Sequence, residues 1–593
     1  MTKRTLKNLS RYLMHSKWWF IFALSLTLIG DVLSLLGPKL IGLSIDTMRN
    51  PHGGVDFDQL YTYVGLMVFI YCVSFIASYV SQNILLRISQ KVAYSMRKDV
   101  FSHLEKMRIH YFDTHQTGDI ISRISYDIDT INTSLSSDLV TILSGSVTVV
   151  VSVGMMVAIS MPLSLIPFGT IIFMSFFARY RMKKVKPLFT KRSIQLGQLN
   201  GYAEDILRGH KTIKSYGQEA YFFKTFSNHN EVAGEAYYQA DYQGSIMGPT
   251  VSFVNNISLS LISAFGALLY LRNALTIGNI SSFVLYSRRF SGPLNEISSL
   301  VSELQSAMSA AERIFALLDE PEEIIDSDTA VHLPKDVPLG VHFDHVNFEY
   351  VKDRPVLKDL TLDVKPTQQI AIVGPTGSGK TTIINILMRF YEINAGTITI
   401  NGINTKDIAR ESLRRSMGIV LQDSWVFCGS IYENLTYGVG DCDMDAVIEA
   451  CKKSNIHDYI ESLPDGYQTW IQDDALIISE GQKQLLSIAR VFLSKASILI
   501  LDEATSNVDT QTELMIQNAM QEVMKGRTCF IIAHRLSTIR NADEILVIQK
   551  GEIAETGDHD DLMRQKGAYF SLYASQFETQ DRVVIEEKEE DVV

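Results

Sequence analysis

Cysteine is scarce and unpaired in this chain. Cys72, Cys428, Cys442, Cys451 and Cys529 are scattered, with no C-x-x-C spacing. They form no disulfide framework and read as reduced thiols. Basic charge is also short. The formal net charge is −12 and no basic stripe stands out, so nucleic acid is not an expected partner. The first apolar run is too long for a cleavable leader and lacks a small-residue cleavage site. Charged residues make up only 20% of the chain, against 46% hydrophobic. Most of the apolar excess lies before residue 310. The 593 residues suggest three or four domains, or fewer if a membrane part is large.

What is present first is a phosphate cradle. Residues 374–382 read GPTGSGKTT and fit G-x-x-x-x-G-K-[ST]. The apolar run Ile370–Val373 before it reads as a buried strand, and Thr382–Phe390 after it as a helix. The candidate ATP-binding residues are Gly374, Pro375, Thr376, Gly377, Ser378, Gly379, Lys380, Thr381 and Thr382. The glycines let successive N–H groups point inward, and the helix start adds a positive dipole end. Lys380 would reach the β- and γ-phosphates, and the Thr381 hydroxyl would sit on Mg²⁺.

Before residue 305, six windows are long and apolar enough to span a bilayer. They lie near Trp18–Leu43, Leu60–Leu85, Leu139–Ser160, Leu163–Tyr180, Met247–Leu271 and Ile277–Val301. Lysines and arginines crowd before the first span, between spans two and three, and after span four. The opposite loops carry few. This bias predicts that both chain ends are cytoplasmic, with six crossings of the cell membrane. The two cytoplasmic connections read as helical hairpins. Residues 85–139 as one helix would run ~80 Å, or two arms of ~40 Å. Their expected tips are Thr114–Asp119 and Ser215–Gln218. Asp31 lies midway along the first span, where an ionisable group is expensive. It is a candidate substrate-cavity residue, or else a helix-packing acid paired across the bundle, with Arg288 or Arg289 as a candidate partner, or a kink companion to Gly37-Pro38. Met155, Met156, Phe168, Phe176, Phe177, Phe253, Phe283 and Tyr286 line a greasy pocket or simply pack against lipid.

Residues 319–338 are polar and acidic and read as a linker. From Val341 short strands alternate with helical stretches, which means an α/β core. Tyr350, at the end of an early strand, can stack on a nucleotide base. Ile498–Leu501 reads as a buried strand ending in two carboxylates. Asp502 would hold the Mg²⁺ shell and Glu503 would polarise the attacking water. His534 follows another buried strand and is a candidate contact to the γ-phosphate or the water.

LSIAR at 486–490, LDEATSNVD at 501–509 and IIAHRLSTI at 531–539 together resemble the ATPase domain of an ABC transporter. YFDTHQTGDIISRISYDIDTI at 111–131 and GHKTIKSYGQE at 209–219 resemble the six-helix exporter domain of the same family. The resemblance implies a half-transporter. Its fold would be an α-helical six-span transmembrane bundle with long cytoplasmic extensions, followed by an α/β P-loop ATPase domain. The boundaries would be 1–318 for the membrane domain, 319–338 for the linker, 339–578 for the ATPase and 579–593 for an acidic disordered tail. It also implies ATP and Mg²⁺ as cofactors, with Tyr350 on adenine and Gln422 on the metal beside Thr381 and Asp502. Glu503 and His534 would be catalytic, Ser506–Asp509 the D-loop, and Thr114–Asp119 and Tyr216-Gly217 the coupling helices.

One departure stands out. The family signature Leu-Ser-Gly-Gly-Gln reads here Ile478-Ser479-Glu480-Gly481-Gln482, and residues 472–477 lack the usual glycines. In the family, one chain's phosphate loop faces the other chain's signature across each ATP. The signature helix would then attract the γ-phosphate through its N–H groups. Ser479, Glu480, Gly481 and Gln482 would serve the partner's site, and Glu480 sets a carboxylate against a polyanion. A homodimer would carry this defect twice and a heterodimer once, so a heterodimer with a second half-transporter subunit is expected. It would have one hydrolytic and one degenerate ATP site. The expected cargo is an amphipathic or lipophilic small molecule such as a drug. Lipid flipping is the near alternative. Peptide export is less expected, since no N-terminal peptidase domain is present. A nucleotide-gated channel or sensor is the alternative of another class.

Overall fold

The computed structural model describes residues 3–14, 16–48, 55–327, 329–334, 337–421, 424–440, 442–471, 478–502, 509–532 and 539–576. At 3, 294–299 and 301–302 only the backbone is described. The chain divides into two compact units. The first comprises residues 1–105 and 116–320, and the second residues 106–115 and 321–593.

The first unit is helical. Among the described residues, five helices are long and apolar enough to cross a membrane: Lys17–Thr47, Phe57–Leu104, Thr117–Ile159, Met161–Arg208 and Glu219–Leu271. The sixth expected span lies in the helix Ile277–Leu318, which is not among these five. It carries Arg288 and Arg289, which lower its apolarity. Small residues let the first, second and sixth helices approach closely. A Cβ on Gly278 would stand 2.0 Å from the Gly42 carbonyl oxygen, so backbone meets backbone there. Ser74 donates to the Gly30 carbonyl at 2.7 Å, and Ser81 to that of Ala23 at 2.8 Å.

The expected pairing of Asp31 with Arg289 is not formed. Arg289 instead donates to the carbonyl and hydroxyl oxygens of Ser34, each at 3.0 Å. Among the described residues, the buried Oδ2 of Asp31 has no hydrogen-bond partner. A guanidinium satisfied by local oxygens needs no carboxylate. Met156, Phe283 and Tyr286 are fully buried in one apolar cluster with Leu163 and Ile262. These three therefore pack helix on helix, whereas Phe176 and Phe253 are exposed.

Both helical hairpins are present, with the first tip starting earlier than the sequence suggests and the second turn falling where it was expected. The short helix in the first is Ile109–Thr114, and the return arm already starts at Thr117. In the second it is His210–Ser215, with Tyr216–Gln218 forming the turn behind it and Gly217 at φ +59°. The first short helix belongs to the second unit and the other to the first.

The second unit is α/β. Its strands are β1 (Val341–Val351), β2 (Arg354–Val364), β3 (Gln369–Val373), β4 (Ala395–Ile400), β5 (Ile403–Asn404), β6 (Met417–Val420), β7 (Gly429–Ser430), β8 (Trp470–Ile471), β9 (Ile498–Asp502), β10 (Thr528–Ile532), β11 (Glu544–Gln549) and β12 (Glu552–Gly557). A six-stranded sheet runs β12-β11-β3-β10-β9-β6, parallel except for its β12 edge. A four-stranded antiparallel sheet runs β2-β1-β4-β5.

The parallel strands are apolar between their ends because both faces are covered. Ile370, Ile372, Ile498 and Ile500 point into one buried cluster, and Ala371, Val373, Leu499 and Leu501 into the other. That alternation is the two-residue pleat of a strand. Burying each Ile or Leu contributes roughly 1.5–3 kcal/mol.

Candidate nucleotide site

The loop Gly374–Gly379 leaves β3 at the carboxyl edge of the parallel strands, where open α/β sheets bind ligands. Two of its glycines are required for different reasons. Gly374 lies against the neighbouring strand, and a Cβ there would stand 2.2 Å from the Ile548 carbonyl oxygen. Gly377 has φ +79° with open space around it, so only backbone strain opposes a side chain. Gly379, in the left-handed region at φ +107°, caps the helix Lys380–Leu387. Gly377→Ala is therefore expected to cost about 1–3 kcal/mol of local strain. Gly374→Ala should cost more, since β11 or the loop must shift. Thermal melting with and without ATP checks this order.

The Lys380 ammonium is folded back on its own loop. It donates to the Gly374 carbonyl at 2.8 Å and to that of Pro375 at 3.1 Å. Burial pushes its pKa down, and the charge of Asp502 opposes that shift. Among the described residues, the buried Ser378 hydroxyl has no hydrogen-bond partner. Thr381 is exposed and Thr382 buried. An orphaned hydroxyl and inward glycines beside a lysine suit an anionic ligand with several oxygens. Thr381 and Asp502 are oxygen donors of the type magnesium takes, so this donor set fits the ion.

Asp502 closes β9, and its register partner is Ile532, the last residue of β10. On the other side β6 ends at Val420, opposite Leu501. The points from which the chain leaves toward Gln422, Glu503 and His534 thus share one sheet edge. Gln422, Glu503, His534, the D-loop stretch Ser506–Val508, residues 472–477 and the tail 579–593 lie outside the described residues. Asp509 is described, and it caps the helix Thr510–Met524 by accepting from Thr512 N–H.

Tyr350 is more enclosed than a free stacking platform. Its hydroxyl donates to Thr382 Oγ1 at 3.3 Å and accepts from Asn385 at 3.0 Å. Its ring lies 4.8 Å from those of Phe348 and Tyr391, both near perpendicular. Asn385 and Tyr391 sit on the chain beyond the motif, which is why pattern reading missed them.

The stretch at 478–482 opens the helix Glu480–Ser494. Ser479 caps it reciprocally with Gln482: the hydroxyl accepts from Gln482 N–H at 3.2 Å, and Ser479 N–H donates to Gln482 Oε1 at 2.9 Å. Gly481 is buried. Glu480 is the first helical residue, exposed, with its carboxylate 2.7 Å from Lys483 Nζ. An exposed pair of this kind contributes little to stability. It does offset part of the charge that the motif had placed there unopposed, and the i,i+3 lysine was the signal to look for.

Comparison with known proteins bears on this arrangement. Residues 20–294 match the family model for the ABC transporter transmembrane region, and residues 357–506 the model for the ABC transporter. The chain is 40% identical to the uncharacterized ABC transporter ATP-binding protein YfiC of Bacillus subtilis, over 97% of this chain and 95% of that one. It is 38% identical to the fatty acid ABC transporter ATP-binding/permease protein of Mycobacterium tuberculosis, over 88% and 82% respectively. A solved bacterial Atm1-family ABC exporter with ATP bound is similar in structure, with TM-score 0.74 and 28% identity. The match covers 95% of this chain and 98% of that one.

Proposed function

The chain belongs to the ABC transporter family, with a membrane region fused to an ATPase domain, and on that footing we propose that it exports amphipathic or lipophilic small molecules as one half of a heterodimer. Membership carries the coarse activity: this is a membrane protein that binds and hydrolyses ATP to drive transport. Exporters of this family work as dimers. The proposal adds the cargo class, the kind of pair, the orientation and the residues.

The proposed site works as follows. Lys380 leaves the Gly374 and Pro375 carbonyls and takes the β- and γ-phosphate oxygens instead. Ser378 and the loop N–H groups complete the cradle. Tyr350 stacks on the adenine once its ring turns out of the aromatic cluster. Glu503 orients and deprotonates the attacking water, and His534 holds the γ-phosphate side. Mg²⁺, held by Thr381, Asp502 and Gln422, would neutralise the phosphate charge. Both termini and the ATPase face the cytoplasm, and the helices span the cell membrane.

The single observation that carries the unlike pairing is Glu480 at the helix terminus expected to face the partner's ATP. A carboxylate in the first turn competes with the γ-phosphate for the same N–H groups. A second reading, a working homodimer, is favoured by the Glu480–Lys483 ion pair, which turns that carboxylate along its own helix. For cargo, the apolar spans and the 38% identical fatty acid transporter support a lipophilic, amphipathic molecule.

Reconstituted vesicles test the transport reading with the dye Hoechst 33342 and a fluorescent phospholipid. ATP-dependent accumulation of dye, with stimulated ATPase, is the expected result. Phospholipid movement alone would favour a flippase, and passive ion current under ATP would favour a channel.

A further inference from the structure

The acidic stretch after residue 320 is held on both sides in the second unit. On one side it pairs with the tip of the first hairpin. Glu322 forms an antiparallel bridge with Met107, Glu323 N–H donates to the Lys106 carbonyl at 2.7 Å, and Arg108 Nε donates to the Glu322 carbonyl at 3.3 Å. On the other side the Glu323 carboxylate takes both terminal nitrogens of Arg414, Nη1 at 3.2 Å.

Arg414 reaches further. Its Nε donates to the Met388 carbonyl at 3.3 Å and its Nη2 to that of Arg389 at 3.1 Å. These carbonyls follow directly on Lys380–Leu387, the helix whose other end is the phosphate loop. A cation at a helix carboxyl terminus is favourably placed. Behind it, Asp326 accepts from the Arg410 backbone N–H and Nη1, each at 2.7 Å. Arg410 and Arg389, both buried, share Glu392 Oε1 at 2.7 and 3.0 Å. A second fastening runs from Tyr391, whose hydroxyl donates to Asp113 on the short helix Ile109–Thr114.

A tether that only joined two domains would need none of this. We propose that Glu323 and Arg414 are positioning residues: they fasten the segment 106–115 to the carboxyl end of the phosphate-loop helix, so that nucleotide at the loop alters that segment. This rests on the nucleotide-loop reading of Gly374–Thr382. The path is short and hydrogen-bonded throughout. A displacement of the helix moves the Met388 and Arg389 carbonyls, Arg414 carries it to Glu323, and Glu323 is bonded to Lys106. The chain continues from there into Phe57–Leu104 and from Thr117 into Thr117–Ile159.

The test uses the complex purified from membranes and placed in lipid nanodiscs. Hydrogen–deuterium exchange is followed in peptides covering Lys106–His115, with and without ATP, Mg²⁺ and vanadate. Binding of the fluorescent analogue MANT-ATP is measured on the same samples and reports the loop itself. Glu323→Gln and Arg414→Gln should each bind MANT-ATP as the wild type does and lose at least about two-thirds of the nucleotide-dependent change in exchange. The double variant should be no worse than either single one, since the two residues act as one link. Tyr391→Phe, which removes only a hydroxyl, should weaken the response in a well-folded protein. An undiminished response in Glu323→Gln and Arg414→Gln would overturn the proposal, whatever Tyr391→Phe shows. So would parallel loss of MANT-ATP binding and response, which would make the pair a support for the loop.

Discussion

Glu503→Gln is expected to lower steady-state ATP hydrolysis about 10²- to 10⁴-fold, the range for removing a general base, with ATP affinity changed little. Glutamine keeps the size and can still hold a water, but it cannot take the proton. β9 is a buried strand, Leu499 and Leu501 on one face and Ile498 and Ile500 on the other, so it holds its carboxyl end firmly. Asp502 ends that strand opposite Ile532, and its charge is felt at Lys380. The strand end at Asp502 is therefore a fixed point. The distinction between binding and chemistry matters for this variant. Nucleotide trapped without turnover supports the assignment of Glu503. An unchanged rate would move the base elsewhere, and loss of binding would make Glu503 a structural residue. Lys380→Ala supplies the contrast, since it should weaken binding itself.

Much of this was legible from sequence because the decisive elements are local and apolar. Ile370–Val373 and Ile498–Leu501 read as buried strands since parallel strands covered on both faces have no polar side to confuse the pattern. The phosphate loop announces itself through glycines whose spacing follows from backbone geometry. β2, Arg354–Val364, was not legible: it alternates exposed and buried residues, with Pro355 near its start and charges along its outer side. The rest of β1 was hidden similarly, by register shifts around Asp344 to Asn347. The early start of the first hairpin's tip has a different cause. Gly118 and Asp119 look like turn residues, but the chain breaks earlier, at Glu105–Arg108 and at His115-Gln116. Long-range partners were out of reach altogether. Nothing local says that Arg289 serves Ser34 and not Asp31, or that Glu323 meets Arg414, which lies far along the chain.

The second large effect concerns Glu480. Expressed without any second half-transporter, the chain can pair only with itself, and each phosphate loop would then face a helix that begins with a carboxylate. The dipole of a helix amino terminus favours an anion by about 0.3–1 kcal/mol, and up to ~2 kcal/mol where partly buried. Glu480 takes up that field, and a side chain holds the phosphate away from the N–H groups. Lys483 offsets part of the charge but not the bulk. Glu480→Gly should therefore raise turnover of the self-paired chain by roughly 5- to 30-fold, the rate equivalent of about 1–2 kcal/mol. Gly481 already lies buried at the second position, so only one side chain has to go. The comparison is direct. The chain is purified from cells making tagged and untagged copies, self-pairing is verified by their co-elution, and ATP hydrolysis is measured for the unaltered chain and for Glu480→Gly. Slow hydrolysis that rises sharply on the substitution is the predicted result. Brisk hydrolysis by the unaltered pair, unmoved by the substitution, would contradict a site that needs an unlike partner's signature.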